Sequence, residues 1–173
     1  MSFASRVTLV VLGLLLSACS TQSSQTDVKL SRTGSWVLLP LVNLAQAPQA
    51  AEGAEQILFS VLAANGLTVT PAPQQQQPAD EFPLEDSQRL QQALQWARQR
   101  GDTYAITGSV EEWQYKSGLD GEPAVGITLR VIAPAGGRIL WSASAARAGW
   151  SRESLAGAAQ TVLESLVADL PLQ

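Results

Sequence analysis

Between Tyr104 and Ala148 the chain reads YAITGSVEEWQYKSGLDGEPAVGITLRVIAPAGGRILWSASAARA. Three runs in it alternate apolar and polar residues, which is the period of a strand with one buried face. Tyr104, Ile106 and Val110 fall on one face of the first run. Val125, Ile127, Leu129 and Val131 alternate in the second, and Ile139, Trp141 and Ala143 in the third. The links, KSGLDGEP and PAGGR, are rich in turn residues. The spacing predicts a meander of antiparallel hairpins.

The flanks supply helices to cover it. Upstream, WVLLPL (Trp36 to Leu41) is a continuous apolar run that suits a buried strand. Ala50, Ala54, Ile57, Leu58, Val61 and Leu62 then follow at helical spacing, with Pro48 suited to the first turn and Asn65-Gly66 to the C-terminus. Leu67 to Thr70 reads as a second strand, and PAPQQQQPADEFP as an exposed, mobile loop of low complexity. Asp86 suits the cap of a helix carrying Leu90, Ala93, Leu94 and Ala97. Ser151 suits the cap of a last helix carrying Leu155, Ala159, Val162, Leu163, Leu166 and Leu170. The expected architecture is a single α/β domain of order βαβαβββα, a mixed sheet packed by helices on one or both faces.

Composition narrows the chemistry. The 173 residues are 46% hydrophobic, enough for one core, and carry a formal charge of -4, which argues against non-specific nucleic-acid binding. There is no histidine and one cysteine, Cys19. No internal disulfide or Cys/His zinc cluster can form, so neither a metal nor a cofactor is expected. Glycosidase chemistry needs two carboxylates about 5–10 Å apart. Glu111 and Glu112, adjacent on a strand, point to opposite faces unless a bulge intervenes. With no nucleophile elbow, phosphate loop or dinucleotide fingerprint either, the chain reads as non-enzymatic.

The opening, MSFASRVTLVVLGLLLSACS, places Arg6 before a ten-residue apolar run, Val7 to Leu16. That run is short for a span but fits a secretory signal. Leu16-Ser17-Ala18-Cys19 resembles a bacterial lipobox. The implied division is a cleaved signal peptide over 1–18, a lipidated Cys19 with a polar tether over 19–34, and a periplasmic domain over 35–173. Ser20 after the cysteine, in place of Asp, implies sorting to the outer membrane. Thr21 to Gly34 reaches at most roughly 50 Å when fully extended.

WVLLPLVNLAQAPQAAEGAEQILFSVLAANGL, YAITGSVEEWQY and GGRILWSASAARAGWSRESLAGAAQTVLESLVADLP together resemble the TolB N-terminal and CsgG-like domains. Among these, the size, lipobox, WSAS strand and Trp-bearing loop are most similar to the outer-membrane lipoproteins of Pel exopolysaccharide export. The resemblance covers nearly the whole mature domain. It implies a homo-oligomeric ring, dodecameric, beneath an outer-membrane porin with a PelB-like repeat scaffold. It also implies a partly cationic polysaccharide as cargo, a basic and aromatic membrane side, and an acidic periplasmic side.

Candidate site residues follow. Arg147, Trp150 and Arg152 in RAGWSRES would form a membrane-facing lip, because Trp favours the interface and Arg bonds phosphates bidentately. The alternative is that Trp150 staples the last helix to the sheet and the arginines are solvated. Asp120 and Glu122 in the β-turn SGLDGEP would attract the cationic polymer, and the alternative there is turn chemistry. Trp141 reads as core. Trp96 reads as core or subunit contact, and Trp36 is ambiguous. Two other functions fit the same class. An LpoB-like activator of a peptidoglycan synthase would need a longer tether than this one. A CsgG-type pore would need extra hairpins the chain is too short to supply.

Overall fold

The computed structural model describes residues 28–73, 86–117, 121–150 and 153–173. The signal segment, Cys19, the low-complexity loop from 74 on, Asp120, Ser151 and Arg152 lie outside the described residues. The elements run β1 (Trp36–Asn43), α1 (Ala50–Ala64), β2 (Val69–Pro71), α2 (Asp86–Arg100), β3 (Tyr104–Tyr115), β4 (Pro123–Ala133), β5 (Arg138–Ala148) and α3 (Leu155–Ala168). This is the expected order. The five strands form one sheet, β2-β1-β3-β4-β5, parallel from β2 through β3 and antiparallel from there to β5.

Two apolar layers follow from the alternation. Helices α1 and α3 pack on one face, over Leu38, Leu41, Ile106, Ile127, Leu129 and Trp141. Helix α2 covers part of the other face through Ala93 and Ala97, against Val37, Leu39, Ala105 and Ile132. The end of α1 shows how local sequence sets this packing. Gly66 adopts φ +73°, its N–H donates to Ala63 O at 3.0 Å, and Leu67 N–H donates to Leu62 O at 3.0 Å. This is a Schellman close, and it drops Leu67 into the core beside Leu62.

Several details differ from the sequence expectations. Ile139 does not share a face with Trp141: it is 55% exposed, while Leu140 and Trp141 are both buried. The register passes from Val131↔Trp141 to Ile132↔Ile139, so Leu140 is an extra residue and the bulge resets the alternation. Strand β2 begins at Val69 rather than Leu67, because Leu67 belongs to the helix cap. Pro48 precedes α1, whose N-cap is Gln49 in a left-handed conformation. The N-cap of α3 is Ser154, whose Oγ accepts from Gly157 N–H at 3.0 Å.

Residues expected in the tether pack with the domain. Leu30 is fully buried, and its N–H donates to Pro171 O at 2.9 Å while Gln173 N–H donates back to Leu30 O. One leucine in a polar stretch carries no periodicity, so this parallel bridge to Leu172 had no local signal. The same segment settles Trp36: it is core, with Nε1–H on Ser31 O at 3.0 Å and its ring 4.5 Å from that of Tyr104.

Candidate functional site

The loop after β5 is built around one carboxylate. Glu153 Oε2 takes the Arg147 guanidinium at 3.2 Å and the Trp150 N–H at 3.3 Å. Glu153 N–H donates to Trp150 O at 3.0 Å, and Gly149 N–H donates to Pro123 O at 2.7 Å. A side chain at Gly149 would strike the Glu153 carboxylate and come within 2.7 Å of Pro123 Cγ, so glycine is required by close approach. The Tyr115 hydroxyl accepts from Leu155 N–H at 3.3 Å and ties the start of α3 to the end of β3.

Trp150 is left 79% exposed by this arrangement. It does not staple α3 to the sheet. Glu153 and Tyr115 hold that junction instead. Arg147 is ion-paired and half-exposed rather than simply solvated. Sequence reading missed Glu153, although an acid three residues after the tryptophan was the available signal.

Glu122 is exposed, and its carbonyl accepts from Lys116 N–H at 2.7 Å. The β3–β4 connection meets the Trp150 loop through the Gly149–Pro123 bond. Glu122 and Trp150 therefore share one end of the sheet, not opposite ends. The described N-terminal segment enters at the other end, where Ser31 N–H donates to the Tyr104 hydroxyl. Glu111 is the extra residue of a bulge between Val110 and Glu112, and each glutamate has its own local partner: Ser109 Oγ donates to Glu111 at 2.6 Å and Gln114 Nε2 to Glu112 at 3.1 Å.

A second feature lies where β2 stops. It pairs only with Trp36 to Leu38, so the outer edge of β1 is open beyond that point. The flanking helices cap it with acids. Leu41 N–H donates to Glu55 Oε1 at 2.8 Å and Asn43 N–H to Asp86 Oδ2 at 2.7 Å. Asp86 thus serves the strand edge, as a blocked edge requires. Arg89 bridges Glu52 and Asp86 at 3.1 and 3.2 Å. A cleft of about 700 Å³ lies between α1 and α2, with Phe59, Pro71 and Trp96 among its walls. Trp96 is half-buried, with the Arg100 guanidinium 4.8 Å from its ring centroid.

Burial pushes the Glu55 carboxyl above its usual 4.5, against the Leu41 N–H bond and the Arg89 charge, which both lower it. A raised carboxyl pKa disfavours the charged form in the fold. The cost is absent below the unfolded pKa, grows as pH rises from there toward the folded one, and is complete above it. Glu55→Gln keeps an oxygen for Leu41 N–H and removes the charge. Its melting temperature should therefore exceed wild type at pH 7, with the difference shrinking toward pH 4. Paired thermal melts across that range check the sign.

No family model and no curated protein matches the chain. Solved structures do. The PelC dodecamer from Paraburkholderia phytofirmans, in two crystal forms, is 31% identical with a TM-score of 0.73, over 90% of this chain and 99–100% of that one. Lipoprotein GNA1162 from Neisseria meningitidis is 19% identical with a TM-score of 0.60, over 78% of this chain and 96% of that one, a likeness of fold alone.

Proposed function

Because this chain belongs to the PelC family, as 31% identity across the solved relatives shows, we propose that it is a non-enzymatic outer-membrane lipoprotein that assembles into a periplasmic ring. The ring guides a cationic exopolysaccharide, Pel, to its outer-membrane export porin and so supports biofilm matrix formation. The observation that carries the reading is the likeness to a dodecamer. The exposed Trp150 on its clamped loop supplies a surface for it.

In this reading Cys19, freed by removal of residues 1–18, carries the lipid. Two or more acyl chains would make the attachment stable, since each buried CH₂ contributes about 0.8 kcal/mol. Trp150 lies at the lipid interface. Arg147 holds its loop through Glu153, and Arg152 adds a donor for lipid phosphate. Glu122 sits at the same end as Trp150, and Asp120 is two residues before it in the sequence, so the two roles divide radially: tryptophan toward lipid, acids toward the lumen and the polymer. A PelB-like repeat-scaffold porin receives the chain.

The anchor constrains this orientation. The described residues begin at Val28, at the sheet end remote from Trp150. Nine residues, Cys19 to Val28, can reach at most about 32 Å at ~3.5 Å per residue. The eleven-residue strand β5 covers about 33 Å at ~3.3 Å per step. Lipid and Trp150 reach one membrane only with the linker nearly straight. Deleting five residues between Ser20 and Asp27 should therefore abolish export while leaving the acylated protein in the membrane fraction. Unchanged export in that deletion would remove Trp150 from the membrane surface.

The test of the whole reading is the mass of the full-length acylated protein in mild detergent, by light scattering after size exclusion. A closed multi-subunit species is expected, and a monomer at every accessible concentration would sink the ring. Cys19→Ser should shift the protein from the membrane fraction to the soluble periplasmic fraction.

A further inference from the structure

We infer that neighbouring copies meet head to tail through the two unlike edges of the sheet, the Arg138-Ile139 start of β5 in one copy seating in the α1–α2 cleft of the next. This rests on the ring reading above. A ring is built from heterologous contacts, so each subunit must carry two different, mutually complementary patches on opposite sides. The strand order supplies the placement. The cleft lies at the β2 end and Ile139 on the edge strand β5. Four strand spacings of about 4.8 Å separate them by roughly 19 Å.

The two patches differ in the way such a contact needs. The cleft is lined by Phe59, which is 39% exposed, together with Pro71 and Trp96. Its lining carries Glu52 and Glu55 with Arg89, which Asp86 also pairs, and the Arg100 guanidinium lies over the Trp96 ring, so acids outnumber cations by three to two. The opposite patch is apolar with positive charge. Ile139 is turned outward by the bulge at Leu140, and Arg138 beside it is exposed. Arg98 is held next to the same hairpin by its Nε–H on Pro134 O at 2.6 Å. Acidic cleft and basic knob are complementary in charge, and each presents an exposed apolar side chain, Phe59 and Ile139. The contact would also cover part of β5, an eleven-residue edge strand that nothing else among the described residues pairs.

Cysteine cross-linking tests the pairing, since Cys19 is the chain's single cysteine. Full-length acylated protein carrying both Phe59→Cys and Ile139→Cys is oxidised mildly in detergent and run on a denaturing gel. A ladder of covalent multimers is expected from the double variant, and none from either single variant. Ile139→Glu should also lower the assembled mass without lowering the melting temperature, because the side chain is exposed. If wild type is multimeric but the double variant gives no ladder and Ile139→Glu keeps the full mass, this contact is wrong and the ring stands. Dimers from Ile139→Cys alone would mean a two-fold contact and would overturn the head-to-tail arrangement. A monomeric wild type would remove the ring itself.

Discussion

Trp141→Ala should lower the free energy of unfolding by about 3–5 kcal/mol, the usual range for removing a buried Trp or Phe. Trp141 is 1% exposed and is among the largest fully buried side chains of the domain. It projects from β5 into the core between the sheet and helices α1 and α3. Its neighbours are held by strand pairing on one side and helix packing on the other, so they cannot collapse into the space. The loss approaches half of a typical domain's stability. Urea titration monitored by far-UV circular dichroism should move the midpoint while leaving the slope nearly unchanged. A shift worth less than about 1 kcal/mol would mean that the α1–α3 layer repacks freely.

The same substitution nine residues on should do the opposite. Trp150→Ala should change unfolding free energy by no more than about 0.5 kcal/mol, as exposed substitutions usually do. Its expected effect is on seating and export. An interfacial Trp contributes modestly in one subunit, but a ring repeats the contact in every copy. Linked weak contacts multiply, so the membrane-seated population should fall on the order of a hundredfold. Cell-surface polymer in a strain complemented with the variant is the readout, with light scattering to verify assembly. Normal export at normal protein level would take Trp150 out of the mechanism. Trp150→Tyr, which keeps an amphipathic ring, should restore most of the function.

Much of the domain was legible along the chain. The βαβαβββα order follows from apolar residues at period two or near 3.6, each sensed over a few neighbours. Asn65-Gly66 announced the end of α1, and Trp141 was read correctly as core, although Ile139, its partner in that alternation, faces outward. The resemblance to the export lipoproteins rested on these same segments, which is why it pointed to the family that the solved dodecamers support.

The rest depended on partners far apart in sequence. Leu30 is core only because the chain's end returns to pair with it across the bridge to Leu172. The bulge at Leu140 has no residue signature, yet it turns Ile139 outward and creates half of the inferred subunit contact. Glu55 and Asp86 cap the β1 edge from two different helices, 14 and 43 residues from the N–H groups they hold. Trp150 had two readings of equal local merit, staple or exposed lip. Glu153, Pro123 and Tyr115 close the loop without the indole, which removes the staple and leaves Trp150 exposed. Local periodicity reports which face a residue prefers. Only the closed fold reports whether that face has already been filled by something else.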